Sequence, residues 1–301
     1  MNVLDTVRLN FSPESLWGLN VILALLMFGI SLELKVDDFV KLKEQPRSAV
    51  TGLVSQFLLL PFATFLLVVL IRPAPSIALG MMMVAACPGG NISNFLTHFA
   101  KGNTALSVSL TAAGTVLCIV LTPLNFSWWA GVYGPTASML KEISIDGGAM
   151  FQSILTLAGI PLAAGMLMAH YFPTLAATLA KGVKPLSILV FLAFVLAAFF
   201  NNRMHFMQHI HHVIVIVFLH NALALATGYG VSRALALPQA DQRTIAIETG
   251  IQNSGLGLIL IFRFFDGLGG MALVAAWWGI WHIVSGLALA WWWGRTARAT
   301  A

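Results

Sequence analysis

The sequence predicts an all-α, polytopic membrane protein of about nine transmembrane helices arranged as inverted repeats. Three observations predict it. First, 58% of the residues are hydrophobic and only 9% are charged, where a soluble domain carries about 25% charged residues. A chain of 301 residues with so little polar surface must have lipid as its main solvent. Second, nine stretches are long and apolar enough to cross a hydrocarbon core, which takes about 20 residues of helix. Third, the basic residues sit mainly in the short connections between those stretches, which reads as membrane orientation rather than nucleic-acid binding.

In chain order the spans are 15–33, 47–71, 76–100, 103–124, 148–172, 184–201, 213–235, 243–265 and 270–294. The N-terminal segment Met1 to Pro13 lacks a basic region followed by a small-residue cleavage site, so the first span is expected to stay as a helix. Segment 125–147 is the longest expected connection. Cys87 and Cys118 both lie in apolar runs and imply no disulfide framework.

With the N-terminus outside, the inner connections hold Lys35, Lys41, Lys43, Arg47, Lys101, Lys181, Lys184, Arg233, Arg243, Arg295 and Arg298. The outer side then holds Arg8, Arg72, Lys141, Arg203 and Arg263. Eleven against five favours N-out, C-in, in the cell's inner (plasma) membrane. Trp128-Trp129 and Trp291 to Trp293 suit the two interfaces, and equally suit lipid-facing bulk.

Two spans depart from plain helix. The third carries Cys87-Pro88-Gly89-Gly90-Asn91-Ile92-Ser93-Asn94, and the eighth carries Glu248-Thr249-Gly250-Ile251-Gln252-Asn253-Ser254-Gly255. Proline removes a backbone donor and glycine weakens helix, so both should unwind near the middle. With the fifth span as connector, each break is third in a set of four, and the two sets run in opposite directions. Interrupted helices at matching positions of inverted halves point to a transporter binding site.

A charge at a helix centre in the bilayer costs at least roughly 2.5–3.5 kcal/mol. Glu248 is the acidic residue deepest in a span. Neutral oxygens surround it in sequence: Gln252 and Asn253 in its own break, Ser93, Asn94 and Thr97 in the other, Ser107 and Thr111 four residues apart on the fourth span, and Gln56 alone in the second. Carboxylate, amide, hydroxyl and unwound carbonyl oxygens suit a hard cation. The half-helix N-termini at the breaks suit an anion. Hydrogen bonding between helices alone is the competing reading for Thr97, Asn221 and Ser285, and stays open for Gln56 and Thr111 taken singly.

At these segments the sequence resembles the bile acid:sodium symporter family. The resemblance is carried by CPGGNISN at 87–94, GNTALSVSLTA at 102–112 and ETGIQNSGLG at 248–257, with LMFGISLELKVDDF at 26–39, QFLLLPF at 56–62 and WHIVSG at 281–286. It implies one transporter unit, 1–301, made of a panel (15–33, 148–172, 184–201) and a core (47–71, 76–100, 103–124, 213–235, 243–265, 270–294), with two discontinuous helices crossing in the core. It also implies two Na+ sites. One is expected at Ser93, Asn94, Ser107, Thr111 and Glu248, the other at Gln56, Gln252 and backbone carbonyls near Glu248, Thr249 and Ile251. Substrate contacts are expected at Gly90, Asn91, Asn253, Ser254 and His282. Here the chain departs from the family's bacterial pattern, with Asn91 where a small residue such as Thr is common and Ile283 where Asn follows the histidine.

The function expected is sodium-coupled symport of a small organic anion by alternating access, the substrate being bile-acid-like, pantoate or a keto acid. The partners are that anion, sodium and the lipid bilayer, with no nucleic acid and no obligate protein partner. The alternatives are a proton-coupled carrier, an uncoupled organic-anion carrier, and a membrane enzyme. An enzyme is disfavoured, since no nucleophile–base pattern is present and His205, His209, His211 and His212 make only one histidine cluster, read as a surface loop.

Overall fold

The computed structural model describes residues 3–8, 13–34, 36–143, 147–201, 203, 204, 207 and 210–299. The helices are α1 (Val3–Thr6), α2 (Pro13–Ser31), α3 (Val36–Glu44), α4 (Pro46–Ile71), α5 (Pro75–Ala86), α6 (Ile92–Phe99), α7 (Thr104–Val132) and α8 (Gly134–Ile143). They continue with α9 (147–171), α10 (Pro173–Asn201), α11 (His211–Ala234), α12 (Gln239–Gly250), α13 (Ser254–Phe264) and α14 (Gly269–Ala299). Among the described residues there is no strand, only two isolated bridges.

Each expected span falls on a helix or on a broken pair: α5 with α6, and α12 with α13. By length and apolar content, five stretches of the described residues suffice to cross a bilayer: 46–71, 104–132, 151–171, 213–234 and 269–296. Large apolar side chains stand exposed along them, among them Leu58, Leu66 and Leu70 of α4, Val120, Leu124 and Trp128 of α7, and Val215 and Phe218 of α11. Such a girdle, on helices long and apolar enough to cross a bilayer, suits lipid. The fold is that of an all-α polytopic membrane protein.

The expected connection at 125–147 is corrected. Helix α7 runs on to Val132 and α8 occupies Gly134–Ile143, so Asn125 is a helical residue. Pro123 sits inside α7 without ending it. The reading of the histidine cluster as a surface loop is corrected in part: His211 and His212 open helix α11, while His205 and His209 lie outside the described residues.

Helices α2, α9 and α10 pack on one another, while α5 packs on α14 and α11 on α12. The largest core runs through α5, α13 and α14 around the fully buried Trp278, Phe126 and Phe265. Two helices contain a wide, π-type turn, at Ser55–Leu59 and Leu155–Gly159, each followed two residues later by proline. In both, the residue before the proline donates five positions back, Leu60 N–H to Ser55 O and Ile160 N–H to Leu155 O. Proline's missing donor thus sets where the ladder widens.

Candidate cation and anion site

The two breaks meet. Gly89 and Gln252 form an antiparallel bridge. Gly90 N–H donates to Ile251 O at 2.7 Å and Asn253 N–H donates to Pro88 O at 2.8 Å. The two interrupted helices therefore run in opposite directions where they touch.

Unwound backbone inside a membrane must find protein partners. Thr122 Oγ1 donates to Ala86 O at 2.7 Å, and Gln56 Nε2 to Cys87 O at 2.9 Å. On the other break, Gln252 Nε2 donates to Thr249 O at 2.7 Å and Asn221 Nδ2 to Gly250 O at 2.8 Å. Asn221 is held in turn by Ser285 Oγ at 2.6 Å. Asn253 caps α13, its Oδ1 accepting from Leu256 N–H at 3.0 Å. Asn221 and Ser285, equally readable as ordinary helix–helix contacts, thus hold a break in position.

Glu248, in the last turn of α12, is buried at the meeting point. Its Oε1 accepts from Ser93 Oγ at 2.5 Å, from Ser107 Oγ, and from Thr111 Oγ1 at 3.2 Å; its Oε2 lies 3.1 Å from the same threonine oxygen. Asn94 Oδ1 accepts from Ser107 at 2.9 Å and Thr111 at 3.3 Å. Three hydroxyl protons thus face the carboxylate and the Asn94 carbonyl, and Ser107 and Thr111 each have more acceptors than protons. This surplus of lone pairs is the donor set of a hard cation. All five residues expected at the first site are brought together.

Gly89 adds a second sign. A methyl group there would lie 2.9 Å from Glu248 Oε2, 3.4 Å from Glu248 O and 3.8 Å from Ile251 O. The bare glycine leaves a space lined by oxygens. Gln56 and Gln252 bond reciprocally beside it, Gln56 Nε2 to Gln252 Oε1 at 2.9 Å and Gln252 Nε2 to Gln56 Oε1 at 3.2 Å. Thr249 Oγ1 lies 2.8 Å from Ser55 Oγ. The carbonyls of Thr249 and Ile251 already accept from Gln252 and Gly90, each retaining a second lone pair.

On the other side of the breaks lies a cavity of about 400 Å³. Gly90, Asn91, Asn253, Ser254 and His282 all line it, facing Leu23, Met27 and Ile30 of α2. One wall is polar and the opposite wall apolar. The α6 N-terminus opens towards it, and Asn91 makes no side-chain cap there. His282 is buried, and its Nδ1 has no hydrogen-bond partner among the described residues. No Lys or Arg is among the described residues that line the cavity.

Helical spans, two breaks meeting in opposite directions, and a caged carboxylate beside a polar-and-apolar cavity define a multi-pass membrane transporter. The chain belongs to the Sodium Bile acid symporter family, whose sequence profile matches residues 20–209. It is 33% identical over 295 residues to the "Uncharacterized sodium-dependent transporter YocS" of Bacillus subtilis (strain 168), covering 96% of this chain and 88% of that protein. It is 31% identical over 276 residues to the "Probable sodium/metabolite cotransporter BASS1, chloroplastic" of Arabidopsis thaliana, covering 91% and 66% respectively. Its identity to the "P3 protein" of Bos taurus is 29% over 235 residues, 78% of this chain and 48% of that one. The chain spans most of the bacterial relative and smaller shares of the plant and mammalian ones. Sodium-dependent transport across a membrane is the activity this family carries.

Proposed function

We propose that the protein is a sodium symporter for small organic monocarboxylates, working by alternating access. The observation that carries this reading is the convergence of Ser93, Ser107 and Thr111 on Glu248 where the breaks meet. One Na+ binds among Ser93, Asn94, Ser107, Thr111 and Glu248. A second binds between Gln56, Gln252 and the backbone oxygens of Glu248, Thr249 and Ile251. Both are substrates of the cycle rather than resident cofactors.

The organic anion binds in the 400 Å³ cavity. Its carboxylate meets the polar wall at Gly90, Asn91, Asn253 and Ser254, where half-helix N-termini carry partial positive charge. Its carbon skeleton lies on Leu23, Met27 and Ile30. The absence of Lys and Arg from the described lining favours one negative charge over two. A small branched carboxylate such as pantoate or a keto acid suits this volume and polarity better than a steroid.

Sodium binding fixes the geometry of the breaks and so prepares the anion site; by linkage the anion tightens sodium binding equally. Helices α2, α9 and α10 act as the panel against which the remaining helices move. The excess of basic residues on one side supports an outside N-terminus in the plasma membrane.

The test is thermal stabilisation of the purified protein by a set of small carboxylates, each with sodium and with potassium. The expected result is a shift for a subset of monocarboxylates in sodium only. Equal shifts in both salts would overturn the coupling, and a shift that follows pH instead of sodium would favour a proton-coupled carrier.

A further inference from the structure

Two turns before Glu248 on the same face of α12 lies Asp241, with Thr244 between them. Asp241 is buried, accepting from Ser48 Oγ at 2.6 Å and Asn103 Nδ2 at 2.8 Å, with no cationic partner within ion-pair distance among the described residues. It lines an open cavity of about 500 Å³ together with Gln45, Arg47, Ser48 and Asn103. Arg47 of the same lining donates to Leu235 O, and Arg243, two residues further along α12, to Ala100 O. On α6, one turn beyond Ser93, sits Thr97. It is fully buried, and its hydroxyl has no hydrogen-bond partner among the described residues.

Gly102 brings these side chains into one line. A methyl group there would lie 2.9 Å from both Thr244 Oγ1 and the Thr97 methyl carbon Cγ2, so only a glycine lets the chain pack this closely against both threonines. The oxygens therefore run in sequence from the open cavity: Asp241 with Ser48 and Asn103, then Thr244 with Thr97, then Glu248 with Ser93. Two helical turns, about 10 Å, separate the ends. Asp241 in the first turn of α12 has an obvious structural use at the helix N-terminus. That use does not explain the buried Thr97 hydroxyl, which is unpaired among the described residues.

We propose that this column is the principal route by which sodium exchanges between Glu248 and the aqueous cavity at the end of the molecule that the basic residues assign to the cytoplasm. Asp241 is an outer monovalent-cation position at its mouth, and the Thr97 and Thr244 hydroxyls replace hydration water along it. The proposal rests on the sodium reading above.

The test is stopped-flow tryptophan fluorescence of the full chain in nanodiscs after a sodium jump. Trp293 packs in one cluster with Ile247 and Ile251 and so senses α12. Rates and equilibrium amplitudes come from the same traces. Thr97→Val keeps the shape and removes only the unpaired hydroxyl. It is expected to slow sodium association several-fold while equilibrium affinity stays near that of the wild type. Asp241→Asn is expected to slow association about tenfold, through loss of a steering charge, and Asp241→Glu to restore most of the rate. If the wild type responds to sodium and both Thr97→Val and Asp241→Asn associate at the wild-type rate, the column is overturned alone. Lower affinity at an unchanged association rate marks a merely structural role and overturns it too. A wild type that never responds to sodium overturns the sodium reading together with the column. Should Asp241→Asn fail to fold, Thr97→Val decides.

Discussion

Asn125 Nδ2 donates to the backbone carbonyl of Phe57 at 2.9 Å. Phe57 lies four residues before Pro61, whose ring nitrogen has no hydrogen to give. A side chain of α7 thus supplies the bond that proline withholds from α4, one residue away from Gln56. Asn125→Leu leaves that carbonyl unpaired, at a cost of about 1–3 kcal/mol. The expected outcome is a lower melting temperature together with a weaker sodium response, because the Gln56 amide is carried by the same turn. Melting curves with and without sodium measure both, and an unchanged melting temperature would count against this account of the widened turn.

The carboxylate of Glu248 is the one charged group in the cage of Ser93, Ser107 and Thr111. Glu248→Gln keeps the size and removes the charge. Sodium titration of this variant should stay flat over the range that saturates the wild type. Ser107→Ala removes one oxygen of several, and should weaken sodium binding by about tenfold, or roughly 1.4 kcal/mol. Full sodium-dependent stabilisation of the glutamine variant would refute the site.

Gly89→Ala separates the cation site from the fold. Its methyl group would lie 2.9 Å from Glu248 Oε2, while the bonds from Gly90 N–H and to Pro88 O are made by neighbouring residues. Sodium affinity should fall markedly with only a small loss of melting temperature. Calorimetric titration beside a melting curve distinguishes this from general damage, in which both would fall together.

Much of this arrangement is legible in the sequence because membrane physics is restrictive. A proline and paired glycines inside an apolar span force a break, and a glutamate there needs oxygens; that led to Ser93, Asn94, Ser107, Thr111 and Gln252, which the fold does bring together around the two breaks. The parts that escaped depend on what lies across from what. Asn125 read as the start of the longest connection, yet α7 continues through it to Val132. Thr122 is one hydroxyl in an apolar helix until Ala86 O is seen opposite it. Arg243 counted as a loop charge and is buried against Ala100 O. Periodicity gives a residue's face, whereas these roles are set by which carbonyl a neighbouring helix leaves unpaired.

His282 allows the anion site to be tested without assuming which anion it takes. Its ring is buried in the cavity wall with Nδ1 unpaired among the described residues, and a buried polar atom without a partner costs about 1–3 kcal/mol. A structural histidine would be destabilising to lose; one kept for a substrate would not. His282→Leu should therefore melt at the same temperature as the wild type or higher when no carboxylate is present. With the carboxylate that shifts the wild type most, its shift should shrink by an amount equivalent to at least about tenfold in affinity, the loss of one hydrogen bond to a charged or polar group. Sodium binding alone should be unchanged, because His282 contacts none of the oxygens around Glu248. A variant that melts lower and keeps the full carboxylate shift would assign His282 to packing and move the anion's polar contacts to Asn91 and Ser254.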